Sequence, residues 1–158
     1  MYERILVPVD GSATSNAGLI EATKLAKLTG ARVRLLHVID DMPFMMAAGG
    51  FGAMTVDVLD SLKTAGEAIL QEARARVETS GVVVSSVLLD SNGGRLCDQV
   101  IEQADSWGAD LLVLGTHGRR GVRRMLLGSD AEQIVRTATI PVLLVREERE
   151  TKAPDADR

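Results

Sequence analysis

Five short runs rich in Val, Ile and Leu recur along the chain and constrain its fold more than any other feature. They occupy residues 5–9, 33–39, 82–89, 111–114 and 141–145. Between them, apolar residues recur at spacings of three and four, which is the pattern of a helix with one buried face. Because a continuous apolar run is typical of a strand buried on both faces, the sequence predicts strands that alternate with helices.

A regular alternation of strands and helices restricts the ways in which the strands can pair. Right-handed crossovers then require a parallel sheet with helices on both faces. We therefore predict one α/β domain with a doubly wound sheet of five parallel strands. For the strand order we adopt 3-2-1-4-5, the Rossmann-like arrangement in which strand one adjoins strand four. Ser12 and Gly30 are predicted to begin and end the first helix. Sheets of this kind bind ligands beyond the carboxyl ends of their strands, so the loops there are candidate sites.

The composition argues against several classes of function. Aromatic residues make up 3 % of the chain, namely Tyr2, Phe44, Phe51 and Trp107, which disfavours recognition of single-stranded nucleic acid by base stacking. The formal net charge of −4 disfavours a general nucleic-acid binder. Cys97 is the single cysteine, so an internal disulfide and a cysteine-based zinc site are excluded. Without a signal peptide or a run of 18 apolar residues, we expect a cytoplasmic protein with no membrane partner.

The segment between the fourth strand and the fourth helix carries the strongest functional pattern. Gly115, Gly118 and Gly121 follow the strand; glycines allow the backbone to approach an anion closely and to adopt the left-handed conformations of an amide nest. Gly128 and Ser129 open the next helix, and the free N–H groups of a helix start favour negative charge. These features together predict an anion site at the carboxyl end of the fourth strand.

The charges of the same segment support an anion, although each part also has an ordinary structural interpretation. No acidic residue lies between Asp110 and Asp130, and four arginines fall inside that interval: Arg119, Arg120, Arg123 and Arg124. They raise the local positive potential, whereas arginine clusters elsewhere commonly form a solvated face. Ser129 followed by Glu132 also fits a capping box, which alone would explain the serine.

The glycine spacing distinguishes this segment from the common nucleotide motifs. The chain contains neither the GxxxxGK(S/T) pattern nor a GxGxxG after the first strand, so the usual P-loop and dinucleotide fingerprints are absent. The spacing Gly115-x2-Gly118-x9-Gly128-Ser129 resembles instead the G-2x-G-9x-G-(S/T) signature of the ATP-binding branch of the universal stress protein family.

The resemblance extends over nearly the whole chain, from residue 2 to residue 146. Three further segments resemble the family in the same order: Pro8–Ser12, Leu35–Val38 and Ile140–Val145. The resemblance implies a fold like that of the adenine nucleotide alpha hydrolases. It also implies a domain over residues 1–146, followed by a charged flexible tail over residues 147–158.

The resemblance also implies a set of nucleotide-binding residues. Asp10 would accept hydrogen bonds from the ribose or adenine side, with Val9 and Val38 flanking the adenine. Gly115 and Gly118 would wrap the phosphates, and the helix start would hold the β- and γ-phosphates. A Mg²⁺ or Mn²⁺ ion, held mainly by the phosphates, would accompany the nucleotide. The full set is Pro8, Val9, Asp10, Gly11, Val38, Gly115, His117, Gly118, Arg119, Gly128, Ser129, Asp130 and Ala131.

Asp130 departs from the family pattern, which usually places a small or apolar residue after the serine. A carboxylate in the first helical turn suits the helix dipole when the site is empty. Beside a triphosphate it would repel, unless a metal ion or an arginine intervenes. The sequence therefore leaves ATP, ADP, AMP and cyclic AMP open as the nucleotide.

The sequence offers no catalytic residue. His37 lies within a strand and is interpreted as a core histidine, and Cys97 lies on the apolar stripe of its helix. His117 lacks a nucleophile partner, and Asp40–Asp41 is interpreted as a solvated pair. Without a positioned base for an attacking water, efficient hydrolysis is not predicted.

The preferred interpretation is an ATP-binding regulatory protein of the stress response. A homodimer is expected through Val142–Val145, as the last strand pairs in this family. The Met-rich residues 42–54 would act as a flap or contact a protein partner. One alternative is a slow ATPase, or an enzyme that phosphorylates itself on Ser129 or Thr116. Another is a dimeric interaction protein whose pocket holds AMP or cyclic AMP or is empty.

Overall fold

The structure is a computed structural model, and it describes residues 1–40, 56–91, 94–116 and 128–146. Strands and helices alternate along this part of the chain, as the hydrophobic pattern predicts. The strands are β1 (Arg4–Pro8), β2 (Arg32–Ile39), β3 (Val84–Asp90), β4 (Leu111–Gly115) and β5 (Val142–Val145). The helices are α1 (Ala13–Thr29), α2 (Val56–Glu78), α3 (Leu96–Trp107) and α4 (Ser129–Thr137).

The five strands form one parallel sheet in the order β3-β2-β1-β4-β5. This order confirms the predicted topology, with β1 in the centre. Successive strands add outward from β1 to β3 on one side and from β4 to β5 on the other. The winding therefore reverses between β1 and β4, and a ligand crevice is expected there.

Two aliphatic cores lie on opposite faces of the sheet. The side chains of successive β1 residues point to opposite faces, so Ile5 and Val7 lie in one core and Leu6 in the other. Helices α1 and α2 contribute Leu19 and Val77 to the first core. Helices α3 and α4 contribute residues such as Val100 to the second. Every buried apolar side chain of the described part is aliphatic or Cys97. Aliphatic side chains therefore fill these cores.

The ends of α1 follow the predicted local signals. Ser12 is the N-cap and accepts a hydrogen bond from the backbone N–H of Ser15 at 3.2 Å. Gly30 ends the helix with φ 75°, a left-handed conformation that glycine adopts without steric cost. Residues 42–54 and 147–158, which the sequence assigns to a flap and a tail, lie outside the described residues. Among the described helices, none has the length and hydropathy needed to cross a bilayer.

Candidate functional site at the carboxyl end of the sheet

Strands β1 and β4 separate before they end, and Pro8 explains why. Their pairing stops at Leu6 with Leu112, whereas β1 stays paired with β2 as far as Pro8. Along a strand, the backbone N–H and C=O groups of alternate residues point to the same neighbouring strand. Those of Glu3 and Val9 bond to β2, so those of the even-numbered residues Leu6 and Pro8 point towards β4. Proline has no N–H to donate. The ladder to β4 therefore lacks a donor at Pro8, and β1 and β4 are unpaired beyond Leu6, at the switch point where a ligand crevice is expected.

Strand β2 extends beyond the last residue of β1 that it pairs with. The N–H of Val9 donates to the carbonyl of Leu36 at 2.8 Å, while β2 stays paired with β3 as far as Ile39. Because alternate residues face the same neighbour, Val38 faces β1 as Leu36 does. Among the described residues the register gives Val38 no partner in β1, so its N–H and C=O line the crevice.

A tight turn holds Asp10 at the mouth of this crevice. Gly11 has φ 79°, which a residue with a side chain rarely adopts. Asp10 Oδ1 accepts from the N–H of Ser12 at 2.9 Å, which is an Asx turn. The N–H of Asp10 donates to Ser15 Oγ at 3.2 Å. The carboxylate is thus fixed at the end of the central strand, where the motif resemblance places it.

The structure assigns Gly115 a role that differs from the predicted one. A Cβ at this position would lie 2.6 Å from the carbonyl carbon of Thr14 and 2.8 Å from the nitrogen of Ser15. Gly115 also has no left-handed φ, so its assignment to a left-handed amide nest is wrong. The missing side chain instead lets the start of α1 cross the end of β4 in backbone contact. Gly118 and Gly121 lie outside the described residues.

Helix α4 begins beside the end of β4 because Thr116 bonds to both neighbours. The N–H of Thr116 donates to Val145 at 2.9 Å, and its carbonyl accepts from the N–H of Gly128 at 2.9 Å. The N-cap is Gly128, which has no side chain to cap the helix. The capping box centred on Ser129 is therefore wrong. Within the described part of the chain, no side chain caps the amides of the first turn of α4, which a helix leaves without partners of its own.

The remaining predicted site residues separate into three groups. Ser129 and Asp130 are exposed at the start of α4, whereas the side chain of Ala131 is buried in the core. Val9 and Val38 belong to the two opposite cores, so their side chains lie on opposite faces of the sheet. That both flank an adenine stays a prediction. The other three predicted positions lie outside the described residues: His117, Gly118 and Arg119.

His37 and Cys97 occupy the core, as the sequence predicts. His37 is 8 % exposed, and its Nδ1 lies 2.6 Å from the carbonyl oxygen of Val9. Cys97 is buried, and burial followed by the charge of Asp98 raises the pKa of its thiol. A raised pKa leaves little thiolate at neutral pH, so Cys97 is not an activated nucleophile. In the described ranges, no three His, Cys, Asp or Glu side chains converge as metal ligands would.

Hydroxyl-bearing residues near the crevice were missed by the motif comparison. Thr116 and Ser15 are each 5 % exposed. Ser15 Oγ accepts from the N–H of Asp10, and the backbone of Thr116 bonds to Val145 and Gly128. Ser15 is signalled in the sequence by the Asp-Gly-Ser turn that precedes it. Thr116 has no such signal, because its position depends on where α4 meets β4. Of the two hydroxyls considered for self-phosphorylation, Thr116 is buried and Ser129 is exposed.

Known proteins resemble this chain in both sequence and structure. The profile of the universal stress protein family matches residues 1–146. A universal stress protein of Methanocaldococcus jannaschii is 33 % identical over 147 residues, which cover 92 % of this chain and 83 % of that protein. The solved structure of a second such protein from the same organism is 26 % identical with a TM-score of 0.80, covering 94 % of this chain and 99 % of that one.

Two further solved structures share the fold at 24 % identity. One is a universal stress protein in complex with cAMP, with a TM-score of 0.65, covering 93 % of this chain and 98 % of that one. The other is a universal stress protein from Archaeoglobus fulgidus in complex with dAMP, with a TM-score of 0.63, covering 91 % and 98 %. The family profile spans the whole described fold, and the sequence relatives agree with it: this chain belongs to the universal stress protein family.

Proposed function

We propose that this protein binds an adenine nucleotide in the crevice between β1 and β4 and acts as a nucleotide-dependent regulator of the stress response. One observation carries the proposal: β1 ends before β2 and separates from β4 at Pro8. Backbone groups of β2 and the uncapped start of α4 therefore line the same crevice. The family membership and the two nucleotide complexes of relatives support this assignment.

The base and ribose would lie on the β1–β2 side. Adenine presents an acceptor nitrogen beside its amino donor, which is the complement of a backbone N–H and C=O on one residue. Val38 presents that pair of groups towards the end of β1. The Asp10 carboxylate would accept hydrogen bonds from the ribose hydroxyls. Pro8, which alternates with Val7 along β1, would share the face of Val38 and pack against the nucleoside.

The phosphates would lie on the β4–α4 side. The N–H of Gly128 already donates to Thr116, so the amides offered to an anion are those of the first turn of α4, which begins at Ser129; a helix start favours an anion. By the motif resemblance, His117, Gly118 and Arg119 would complete the phosphate contacts, with Mg²⁺ or Mn²⁺ held mainly by the phosphates. Asp130 is exposed in the same first turn. Its charge would disfavour a long phosphate chain, which makes the choice between ATP and AMP testable.

Calorimetric titration of the purified protein with ATP, ADP, AMP and cyclic AMP, with and without Mg²⁺, tests the proposal. We expect saturable binding of at least one of them and its loss in Gly118→Val. Gly30→Ala is the control, because Gly30 ends α1 at φ 75° at the opposite end of the sheet and only stability should fall. Binding of none of the four nucleotides, or equal binding by Gly118→Val and wild type, would contradict the proposal.

Asp130→Ala distinguishes the nucleotides. If Asp130 repels the outer phosphates, the variant should bind ATP about tenfold more tightly and AMP nearly unchanged, since a tenfold ratio requires only about 1.4 kcal/mol. Asp130→Glu retains the charge and serves as the control. An unchanged ratio of ATP to AMP affinity in the alanine variant would show that Asp130 does not select the nucleotide.

We further propose that the protein forms a homodimer through β5. This strand lies at the edge of the sheet. The carbonyls of Pro141 and Val145 accept from β4, so the backbone N–H and C=O groups of Val142 and Leu144 point away from β4, towards the open edge. Leu144 is 37 % exposed. Leu144→Pro removes an outward N–H that β4 does not use, whereas Leu144→Thr keeps it. Sedimentation should give a dimer for wild type and Leu144→Thr and a monomer for Leu144→Pro; a monomeric wild type would contradict the dimer.

We propose binding rather than turnover as the biochemical activity, and the cytoplasm as its setting. The proposal follows the sequence, which offers no residue recognisable as a base for an attacking water. The test is incubation with γ-labelled ATP after purification to homogeneity. Release of phosphate, or label on Ser129, that disappears in Asp10→Ala would favour the enzymatic alternative instead.

A further inference from the structure

His37 is a buried imidazole beside the crevice, and nothing proposed above uses it. It lies on β2 and is 8 % exposed. Its Nδ1 lies 2.6 Å from the carbonyl oxygen of Val9, the residue before Asp10. A carbonyl oxygen can only accept, so Nδ1 carries the proton and donates it.

This side-chain bond takes the place of a backbone bond. The N–H of Val9 donates to Leu36 at 2.8 Å. In a regular parallel ladder the next bond would run from the N–H of Val38 to the carbonyl of Val9. The register of β1 with β2 ends at Pro8 and Leu36 instead, and the carbonyl of Val9 accepts from His37. The imidazole thus bonds to the carbonyl that the ladder would offer to the Val38 amide, and within the described residues that amide makes no bond to Val9.

Packing holds the ring in the orientation that makes this bond. A Cβ on Gly66 of α2 would lie 2.8 Å from Cδ2 and 3.3 Å from Nε2 of His37. Helix α2 therefore rests directly against the imidazole, at a position where only glycine fits without displacement. Leu88, the register partner of His37 on β3, would lie 2.8 Å from the same Cβ. The buried bond meets little competition from water, which strengthens it.

We infer that His37 is a positioning residue of the nucleotide site. By holding the carbonyl of Val9 out of the β1–β2 ladder, it keeps the Val38 amide available to the adenine edge. It also anchors the residue that precedes Asp10. The inference rests on the proposed function, because it assigns a role in the same site. His37 touches no ligand in this role and acts through Val9 and Val38.

Three substitutions test the hydrogen bond. His37→Asn keeps an N–H near the position of Nδ1, His37→Gln moves the N–H further along the side chain, and His37→Leu removes it. We expect Asn to bind AMP within about threefold of wild type, and Gln and Leu to bind about tenfold more weakly, the effect of losing one hydrogen bond. Wild-type affinity in the leucine variant, or an equal loss in all three, would overturn the inference.

Amide hydrogen exchange without nucleotide gives an independent measurement. In wild type and His37→Asn the Val38 amide should exchange rapidly. In His37→Leu it should become protected, because Val38 can then donate to the carbonyl of Val9. Unchanged exchange in the leucine variant would overturn the inference; if that variant does not fold, the comparison of Asn with Gln replaces it. If wild type binds another of the four nucleotides but not AMP, that nucleotide replaces AMP in the comparison. A wild-type protein that binds none of the four contradicts the proposed site itself, so the two failures are distinguishable.

Discussion

The two ends of the parallel sheet differ in where their polar groups find partners. At the amino end, Asp110 accepts from the backbone N–H of Glu3 at 2.7 Å and of Arg4 at 3.0 Å. Arg4 in turn donates to the carbonyl of Trp107 at 3.0 Å, at the end of α3. The carboxylate and the guanidinium both join the start of β1 to the connection between α3 and β4. Their hydrogen bonds stabilise the fold and require no ligand.

Arg34 completes this amino-end network. Its Nε donates to Ser85 Oγ at 3.3 Å, its Nη1 donates to Gln103 Oε1 at 3.1 Å, and its guanidinium lies 4.4 Å from the centre of the Trp107 ring. Burial, and then the charge of Arg4, lower the pKa of Arg34. An arginine pKa begins so high that the group remains charged at neutral pH. The cation is therefore held by protein partners, including an aromatic face.

The carboxyl end is organised in the opposite way. There the strands end at different heights, so backbone groups of Val38 and of the first turn of α4 face a crevice. The side chains nearby, Asp10 and His37, shape the backbone around that crevice. The comparison teaches that the richer cluster of charged side chains is satisfied within the fold and calls for no ligand. The backbone groups left unpaired at the strand ends are what support placing the proposed nucleotide site at the carboxyl end.

The largest effect is expected at Gly115, a carboxyl-end residue whose contacts are structural. Gly115→Ala would bring a Cβ within 2.6 Å of the Thr14 backbone, and we expect a loss of about 1–3 kcal/mol in the free energy of unfolding. Gly18→Ala is the control, because its Cβ would lie 3.3 Å from the Gly115 nitrogen while alanine favours the helix by about 1 kcal/mol. Urea denaturation measures both. An unfolding midpoint of Gly115→Ala equal to that of wild type would show that α1 and β4 can move apart to accommodate the added Cβ at little cost in stability.

An intermediate effect is expected from the two aspartates at opposite ends of the sheet. Asp10→Ala should weaken AMP binding about tenfold or more, because a charged acceptor is lost at the crevice. Asp110→Ala should leave AMP binding unchanged and lower the free energy of unfolding by about 1 kcal/mol, because two backbone N–H groups lose their acceptor. Calorimetric titration measures the AMP affinity of both variants, and urea denaturation measures their free energies of unfolding. Weaker AMP binding by Asp110→Ala would contradict the separation of the two ends.

The smallest effect is expected in the fluorescence of Trp107, the single tryptophan of the chain. Because Trp107 lies at the amino end, saturating AMP should leave its emission unchanged. Arg34→Met should alter the emission and cost about 0.5–1 kcal/mol, since the cation above the ring is lost. Arg34→Lys, which retains a charge, is the control. A nucleotide-dependent change in Trp107 emission would show that the two ends are coupled.

The elements and their order were predictable because their signals are local. The aliphatic runs, the spacing of apolar residues in the helices, and the Ser12 and Gly30 caps each depend on a few neighbouring residues. The glycine motif was less informative about mechanism. It identified Gly115, but the reason for that glycine is contact with Thr14, a residue about a hundred positions away in the chain. Likewise, Ser129 and Glu132 matched a capping box, yet the hydrogen bond from Gly128 to Thr116 sets the helix start.

The sequence by itself determined the fold class, the sheet order and the family of this protein. Hydrophobic periodicity and motif spacing are properties of the linear sequence and can be identified without knowing how the chain folds. Only the tertiary structure decided which faces Val9 and Val38 occupy and which backbone groups line the crevice. Those properties depend on the register between strands, which is set by packing among residues far apart in sequence. Pro8 and His37 can be identified in the sequence. Their effects, a missing donor towards β4 and a hydrogen bond to Val9, arise only once β1 lies between β2 and β4.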